Sequence, residues 1–483
     1  MKRSLSLRFL SLLFFCIFLV SLLPIAYIAT FNHACYDDFG FSILTHNAWR
    51  ETGSFLATLQ AAWQNTVGIR NTWEGTYATS FLSALQPALF SPHLYWITTL
   101  LLLGMLLFSF WVFLRALCKT LQITEKGSVL LLFSLVGLLA IQFAPSASEG
   151  FFWFNGGVAY TFFWSVGLWR LSLWLCPKRY TFLGLWVLSL IMGGSKYPTA
   201  HFFLLCDLPF LFFLFKGKKT GRYLLAVSTL LLLGGLLFSA FSPGNAVRAQ
   251  SLGTGAMHPI KAILQALYFG FSLMSTSFTL PVVVLIALGC YMGYHTKAPQ
   301  AFWFRYPWLV AMGAMLLYCA QCAPTLYMGN YLGNGRVLNT YHYTYLFGWL
   351  AVSTSVGGYL RNKLRDITPT QGIRLGIALA FSCVLLVGVI GYQPDGAESW
   401  GPQHTTSGSA LRSLYRGQAQ TWHQAMQARE TALLDPTLPE VTLSPVPNAP
   451  PIFMGDILLS PPNLSYVLSL YGDYFQKEAV YLE

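Results

Sequence analysis

The sequence predicts an all-α polytopic membrane protein with about eleven transmembrane helices, followed by a small C-terminal α/β domain on the extracytoplasmic side. Composition gives the first reason: 55% of the 483 residues are hydrophobic and 10% are charged, against about 25% charged in soluble domains. Spacing gives the second. The apolar residues fall in blocks of roughly 17 to 25, the length that spans about 30 Å of hydrocarbon as helix, and helix is the default because lipid offers no partner to backbone N–H and C=O groups. The third is the alternation of basic residues between successive loops.

The expected spans are 8–29, 93–115, 127–143, 157–176, 181–194, 199–215, 223–241, 266–294, 306–325, 337–360 and 372–391. The first follows Met1-Lys2-Arg3 and is read as a retained helix, because its apolar run is long for a signal core and no small-x-small cleavage site follows. Asn32-His33-Ala34 before Cys35 lacks the aliphatic residue that precedes a lipidated cysteine. The eighth stretch is too long for one crossing and predicts a surface helix followed by a span, with Pro281 near the break. The cysteines are scattered and imply no disulfide framework, and Cys319-x-x-Cys322 on an apolar helix reads as packing. Residues 1–391 thus form a membrane domain with a first external loop at 30–92, and 392–483 an external domain with helical patterns at 408–434 and 463–475 and extended segments at 440–443 and 451–459.

With the N-terminus cytoplasmic, eighteen basic residues fall on the inner side, from Lys2, Arg3 and Arg8 to Arg361, Lys363, Arg365 and Arg374. The outer loops before the C-terminal domain carry only Arg50, Arg70, Lys196, Arg248, Lys261 and Arg336. Most of the net charge of +12 is therefore topological and calls for no nucleic-acid partner. Acids favour the outer side: Asp37, Asp38, Glu51, Glu74 and Glu149 face out, Glu125 and Asp366 face in, and Asp207 lies within a span.

External acids and bases that share one face suggest a site there. The sharpest element is Tyr36-Asp37-Asp38-Phe39-Gly40, just beyond the first span. Adjacent carboxylates at the bilayer edge are raised toward a useful basicity by desolvation and mutual repulsion, and a step of about 100° along a helix gives the two different tasks. Taken alone, the pair also fits N-capping of a helix over 39–51. Candidate binding residues come from the other outer loops: Arg70 and Glu74 in Gly68–Gly75; Glu149, Trp153 and Asn155 in Glu149–Gly157; Lys196 in Ser195–Tyr197; Asn245 and Arg248 in Ser242–Arg248; and Arg336 after Gly333-Asn334-Gly335. Single bases beside Gly or Asn suit a phosphate, as they also suit anchoring to lipid headgroups. Most of the abundant aromatics fit an interfacial belt, and a minority could stack on a sugar ring.

This arrangement resembles the C-type (GT-C) membrane glycosyltransferases. The resemblance rests on the acidic pair after the first span, a long first external loop, many spans and an external C-terminal domain. The chain is most similar to uncharacterised bacterial multi-pass families with an Asp-Asp-aromatic motif, a Trp/Gly/Arg element in the first loop and a Ser-Pro-Gly-Asn…Arg loop. Here these are Asp37 to Phe39, Trp73 to Thr76 with Arg70, and Ser242 to Arg248; the first-loop element departs from the pattern, with Gly75-Thr76 in place of Gly-Arg. The resemblance implies a GT-C-like fold in a bacterial inner membrane and transfer of a sugar from a polyprenyl-phosphate donor to a glycan, lipid or protein acceptor on the outer face. Asp37 or Asp38 would act as base, and Lys196, Arg248 or Arg336 would hold the leaving phosphate. No cofactor is firmly implied; a divalent cation on Asp37, Asp38 or Glu149 would suit the chemistry, although no ligand cluster is evident. A transporter or flippase built around Asp207 and a polysaccharide polymerase or ligase are the competing readings; the shortness of the late external loops weighs against the latter.

Overall fold

The computed structural model describes residues 7–217, 221–251, 257–329, 331–364, 371–394, 397–455 and 464–483. Lys2, Arg3, Lys218, Lys219, Arg365 and Asp366, used in the charge argument, lie outside them. In chain order the helices are α1 Leu7–Ile28, α2 Asp37–Thr52, α3 Phe55–Thr72, α4 Tyr77–Ser83, α5 Ile97–Thr120, α6 Ser128–Gln142, α7 Phe154–Gly157, α8 Phe163–Leu175, α9 Phe182–Gly193, α10 Tyr197–Lys216 and α11 Arg222–Ala240. There follow α12 Pro243–Ser251, α13 Pro259–Thr276, α14 Leu280–Tyr294, α15 Phe302–Arg305, α16 Pro307–Gly329, α17 Gly335–Lys363, α18 Gln371–Ile390, α19 Thr406–Tyr415, α20 Gln418–Leu434 and α21 Leu464–Phe475. Two short strands, β1 Glu440–Leu443 and β2 Ala479–Leu482, complete the fold among the described residues.

A helix occupies each of the eleven apolar stretches. Four segments are long and apolar enough to cross a membrane on their own, Leu7–Phe31, Pro92–Thr120, Arg222–Ala240 and Pro307–Gly329, and α13 with α14 makes a fifth when taken together. Those two helices meet at 96°, and Pro281 stands in the first turn of α14, where a missing N–H costs nothing. α13 has the pattern of a surface helix. Ile260, Ile263, Leu264 and Tyr268 are exposed on one side, while on the other a Cβ added to Gly270 would lie 2.8 Å from the Cys319 sulfur of α16.

Small residues let the helices approach, as lipid-embedded packing requires. A Cβ on Gly293 of α14 would lie 1.9 Å from the Thr354 carbonyl of α17, and one on Gly193 of α9 would lie 2.6 Å from Gly235 Cα of α11. Deep in the bundle, Arg170 of α8 pairs with Asp207 of α10 through two bonds of 2.8 and 2.6 Å. Ser189 accepts from Arg170 Nε at 2.7 Å, and Thr229 donates to Asp207 at 2.9 Å. Both charged side chains are fully buried, so the pair bolts α8, α9, α10 and α11 together. Asp207, on which a translocation path would depend, is thus a packed partner of Arg170, a charge hidden in an apolar run.

The C-terminal segment is laid against the start of the chain. Thr406 Oγ1 of α19 donates to the Ile141 carbonyl at 2.5 Å, and Ser407 N to Gln142 Oε1 at 3.0 Å. α21 covers α2, with the Phe39 ring 5.1 Å from Tyr471, 4.9 Å from Tyr474 and 5.6 Å from Phe475. His33 joins Glu430 at 2.7 Å and His423 at 2.8 Å. β1 and β2 pair in parallel, Glu440 with Ala479 through Leu443 with Leu482. The helical pattern expected over 408–434 is divided at Gly417, whose φ of +71° ends the first helix. Of the extended segment expected at 451–459, residues 451–453 form a turn and bend, 454–455 join no strand, and 456–459 lie outside the described residues. The partner strand is instead Ala479–Leu482.

Candidate functional site

The site begins where the chain leaves α1. Asn32 Nδ2 donates to the Phe152 carbonyl at 2.5 Å, and Tyr36 then adopts φ +50° and ψ −115°, a backbone geometry that bulky residues rarely take and that is held only by its surroundings. This turn starts α2 at Asp37. Neither carboxylate accepts from the N–H groups of α2 in the manner of an N-cap; the N-cap residue is Tyr36, with no side-chain bond.

The two acids have separate environments. Asp38 is fully buried. Its Oδ1 accepts from Asn155 N at 3.1 Å and its Oδ2 from Cys35 N at 3.3 Å and from the Tyr95 hydroxyl; that hydroxyl in turn accepts from Phe154 N at 3.1 Å. Asp38 therefore ties α2 to the lead-in of α5 and to the 153–155 turn. Burial pushes its carboxyl up to about 7, against the lowering effect of the bonds from Tyr95, Asn155 and Cys35. Asp37 is partly exposed and has no hydrogen bond or ion pair among the described residues. Burial lifts it to about 6, while the Arg336, Lys196 and Arg248 charges pull it down and Glu74 pushes it up. Unlike Asp38, it feels the charges of the other loops.

Those charges form two clusters. Glu74 is 4% exposed and is bound by Lys196 through both carboxylate oxygens, with 2.6 Å to Oε2, by Arg248 at 2.5 Å and by the Thr76 hydroxyl at 2.9 Å. Burial would raise its pKa, but Lys196 and Arg248 outweigh it and bring the carboxyl down to about 2. The Arg248 guanidinium also stacks 5.0 Å from the Trp73 ring. In the second cluster Arg336 bonds Glu149 at 3.1 Å and lies 4.7 Å over Trp153, whose ring is 6.4 Å from Tyr36.

Two sequence motifs interlock to build the first cluster. A Cβ on Gly75 would lie 1.9 Å from the Ser239 carbonyl, and one on Gly244 would lie 2.7 Å from Arg70 O and from Trp73 N. Only glycine fits at either place. Asn245 fixes the junction by accepting from Gly75 N at 3.2 Å and from the Tyr197 hydroxyl at 3.1 Å, while its amide donates to the Ser239 and Ala240 carbonyls at 2.9 and 3.0 Å. It is thus a brace with its bonds spent. Arg70 stands apart: it donates to the Phe238 carbonyl at 2.8 Å and lies 3.7 Å over that ring. Trp153 is 2% exposed and its neighbours are Arg336 and Tyr36, so it offers no open face for a sugar. Asn155 differs again. Its side chain is buried, and neither its amide nitrogen nor its oxygen has a hydrogen-bond partner, an arrangement costing about 1–3 kcal/mol per group unless a ligand or water supplies the bond.

The structure therefore brings Asp37, Glu74, Lys196, Arg248, Glu149 and Arg336 to the same ends of α1, α9, α11 and α17. Trp73 and Thr76 of the first-loop element complete these surroundings, as does Tyr95, which carries no local signal as a partner. Among the described residues no three His, Cys, Asp or Glu side chains are grouped to hold a metal ion. No protein family, curated protein or solved structure matches the chain.

Proposed function

We propose that the chain is a C-type glycosyltransferase of a bacterial inner membrane, crossing the bilayer eleven times and moving a sugar from a polyprenyl-phosphate donor to an envelope acceptor on the outer face. The observation that carries the reading is the solitary Asp37 carboxylate beside three cations held by Glu74 and Glu149. In this mechanism Asp37 takes the proton of the acceptor hydroxyl, whose oxygen attacks the anomeric carbon. The bond from that carbon to the phosphate oxygen breaks, and the lipid phosphate leaves with its negative charge facing Arg248, Arg336 and Lys196. Inversion follows from a single displacement. Asp38 is a positioning residue, because its oxygens are bound from three directions.

The meeting of loops supports the topology. Lys196, Glu74, Arg248, Glu149 and Arg336 come from segments that the alternation of spans assigns to the outer side. Segments assigned to the inner side also meet: the Tyr291 hydroxyl donates to Glu125 at 3.1 Å, and Arg361 to the Thr296 carbonyl at 2.6 Å. The transporter reading leaned on Asp207, and the closed pair with Arg170 leaves that group nothing to offer a passing ion. The test is transfer of radiolabel from a polyprenyl-phosphate sugar by protein reconstituted in liposomes. Labelled sugar accumulating inside sealed vesicles without a glycosylated product would sink the proposal.

A further inference from the structure

A second charged feature lies on the C-terminal segment. A cavity of about 410 Å³ opens between the 144–148 turn and α19, lined by Arg412, Arg416, His404, Gln403, Ser146 and Ser148 among others, with no acidic residue in its wall. Arg412 and Arg416 are four apart and so project to one side of the helix end. Both are exposed, and neither has a side-chain hydrogen bond or ion pair among the described residues. The contrast with the catalytic cluster is informative, because Lys196, Arg248 and Arg336 are each paired with a glutamate. The C-terminal end of a helix favours cations, but that preference does not require two of them to line one hollow with hydroxyls and amides and no counter-ion.

The hollow is also connected to the site. Ser148 and Pro451 line both it and a neighbouring cavity of about 530 Å³, whose wall includes Trp422, Asn448 and Glu149. Glu149 is the partner of Arg336. An unpartnered indole N–H belongs to this second cavity's wall: Trp422 is 2% exposed and its Nε1 has no hydrogen-bond partner. The two cavities adjoin at Ser148 and Pro451 and together make a trough reaching from α19 to Glu149, with Arg412 and Arg416 at its α19 end.

We propose that this trough binds the acceptor, that the acceptor is an oligosaccharide bearing carboxylate or phosphate groups, and that Arg412 and Arg416 hold one such group. This rests on the glycosyltransferase reading for the word acceptor, but the binding it asserts needs no turnover. Purified full-length protein in nanodiscs of neutral lipid is titrated with tetragalacturonate, with its methyl ester as the uncharged control and with inorganic phosphate as competitor. The acidic tetramer binds, the ester does not, phosphate competes, and each Arg→Gln change at 412 or 416 weakens binding about tenfold or more. Arg412→Lys and Arg416→Lys keep part of the affinity, which separates charge from a folding defect, as does an unchanged melting temperature. Equal binding of tetramer and ester, no binding of either, or full affinity in the double Gln variant overturns the proposal. So does displacement of the tetramer by phosphatidylglycerol at the few per cent expected of a bilayer, which would make the arginines a lipid-headgroup site. If tetragalacturonate binds as stated and no sugar is transferred from any donor, the enzyme reading fails alone. If transfer proceeds equally to acidic and neutral acceptors in the parent, or keeps its full preference for the acidic acceptor in the double variant, the acceptor site fails alone.

Discussion

Replacing each member of the acidic pair by its amide separates a base from a brace. Among the described residues Asp37 makes no hydrogen bond, so Asp37→Asn removes a proton acceptor and little else; loss of a general base costs about 10²- to 10⁴-fold in rate, with donor binding and melting temperature near those of the parent. Asp38 is bound at both oxygens, by Asn155 N, Cys35 N and the Tyr95 hydroxyl. An amide there keeps one acceptor oxygen and turns an NH₂ toward donors, leaving at least one buried group unsatisfied at about 1–3 kcal/mol. Asp38→Asn therefore lowers the melting temperature, and its rate falls only in so far as α2 shifts. The pH profile supplies an independent readout. A base is active when ionised, so the rate of the parent rises with pH through about 6 and levels off above it. The assay is label transfer in liposomes at graded pH, with melting followed on the same preparations. Full transfer by Asp37→Asn, or a rate loss confined to Asp38→Asn with unchanged melting, would refute the division of labour.

Removing the Tyr95 hydroxyl as Phe takes one of three bonds from Asp38 and strands Phe154 N, and is expected to cost about 1–3 kcal/mol of stability with the pH dependence of the rate unchanged, as measured by melting and the same rate profile. Burial raises the pKa of Asp38 on folding, so its contribution is fully present below the ordinary carboxylate value and is lost as pH rises to about 7; the stability of the parent relative to Asp38→Asn accordingly falls between about pH 4 and about pH 7. Breaking the buried ion pair by Asp207→Ala leaves Arg170 uncompensated at about 3–5 kcal/mol, whereas changing both residues together to apolar ones restores much of that, a double-mutant cycle read by melting in detergent. His423 is pushed below 6.5 by burial and by His33, with Glu430 opposing and His93 adding to it. The contact of α20 with His33 is thus favoured above that pH and weakens as pH falls, so hydrogen exchange in α20 accelerates on acidification, and a pH-independent exchange rate would contradict it.

Much of the helix framework was legible because hydropathy is a local property. The break at 277–279 was readable from length and Pro281, and the break at Gly417 was available in the sequence but was overridden by the helical pattern on both sides. The site was legible as a set of loops and not as a set of contacts. Glu74 meets Lys196 and Arg248 across 122 and 174 residues, and no pattern in the first loop distinguishes it from a surface acid. Arg70, the displaced base of the first-loop motif, lies on Phe238 and takes no part in the cluster. Tyr95 is 57 residues from Asp38 and reads as one more interfacial aromatic. Arg170 was missed because a single charge within an apolar run is noticed only once its partner, 37 residues on, is seen to face it.

The departure at Gly75-Thr76 also acquires a physical reason. An arginine at 76 would bring a third cation against a carboxylate already bound by Lys196 and Arg248, in a position that is fully buried. Threonine donates a hydroxyl bond to Glu74 instead, adding no charge to be desolvated. Under the proposed mechanism, Glu74 would hold Lys196 and Arg248 in place before a phosphate binds, the preorganisation on which electrostatic catalysis relies. Because those two cations keep its carboxyl at about 2, its stabilising contribution is constant above the ordinary carboxylate range and is lost only as pH falls toward that value. A rate transition near pH 6 cannot arise from Glu74, and the pH profile therefore reports on Asp37 without interference from the acid that organises its surroundings.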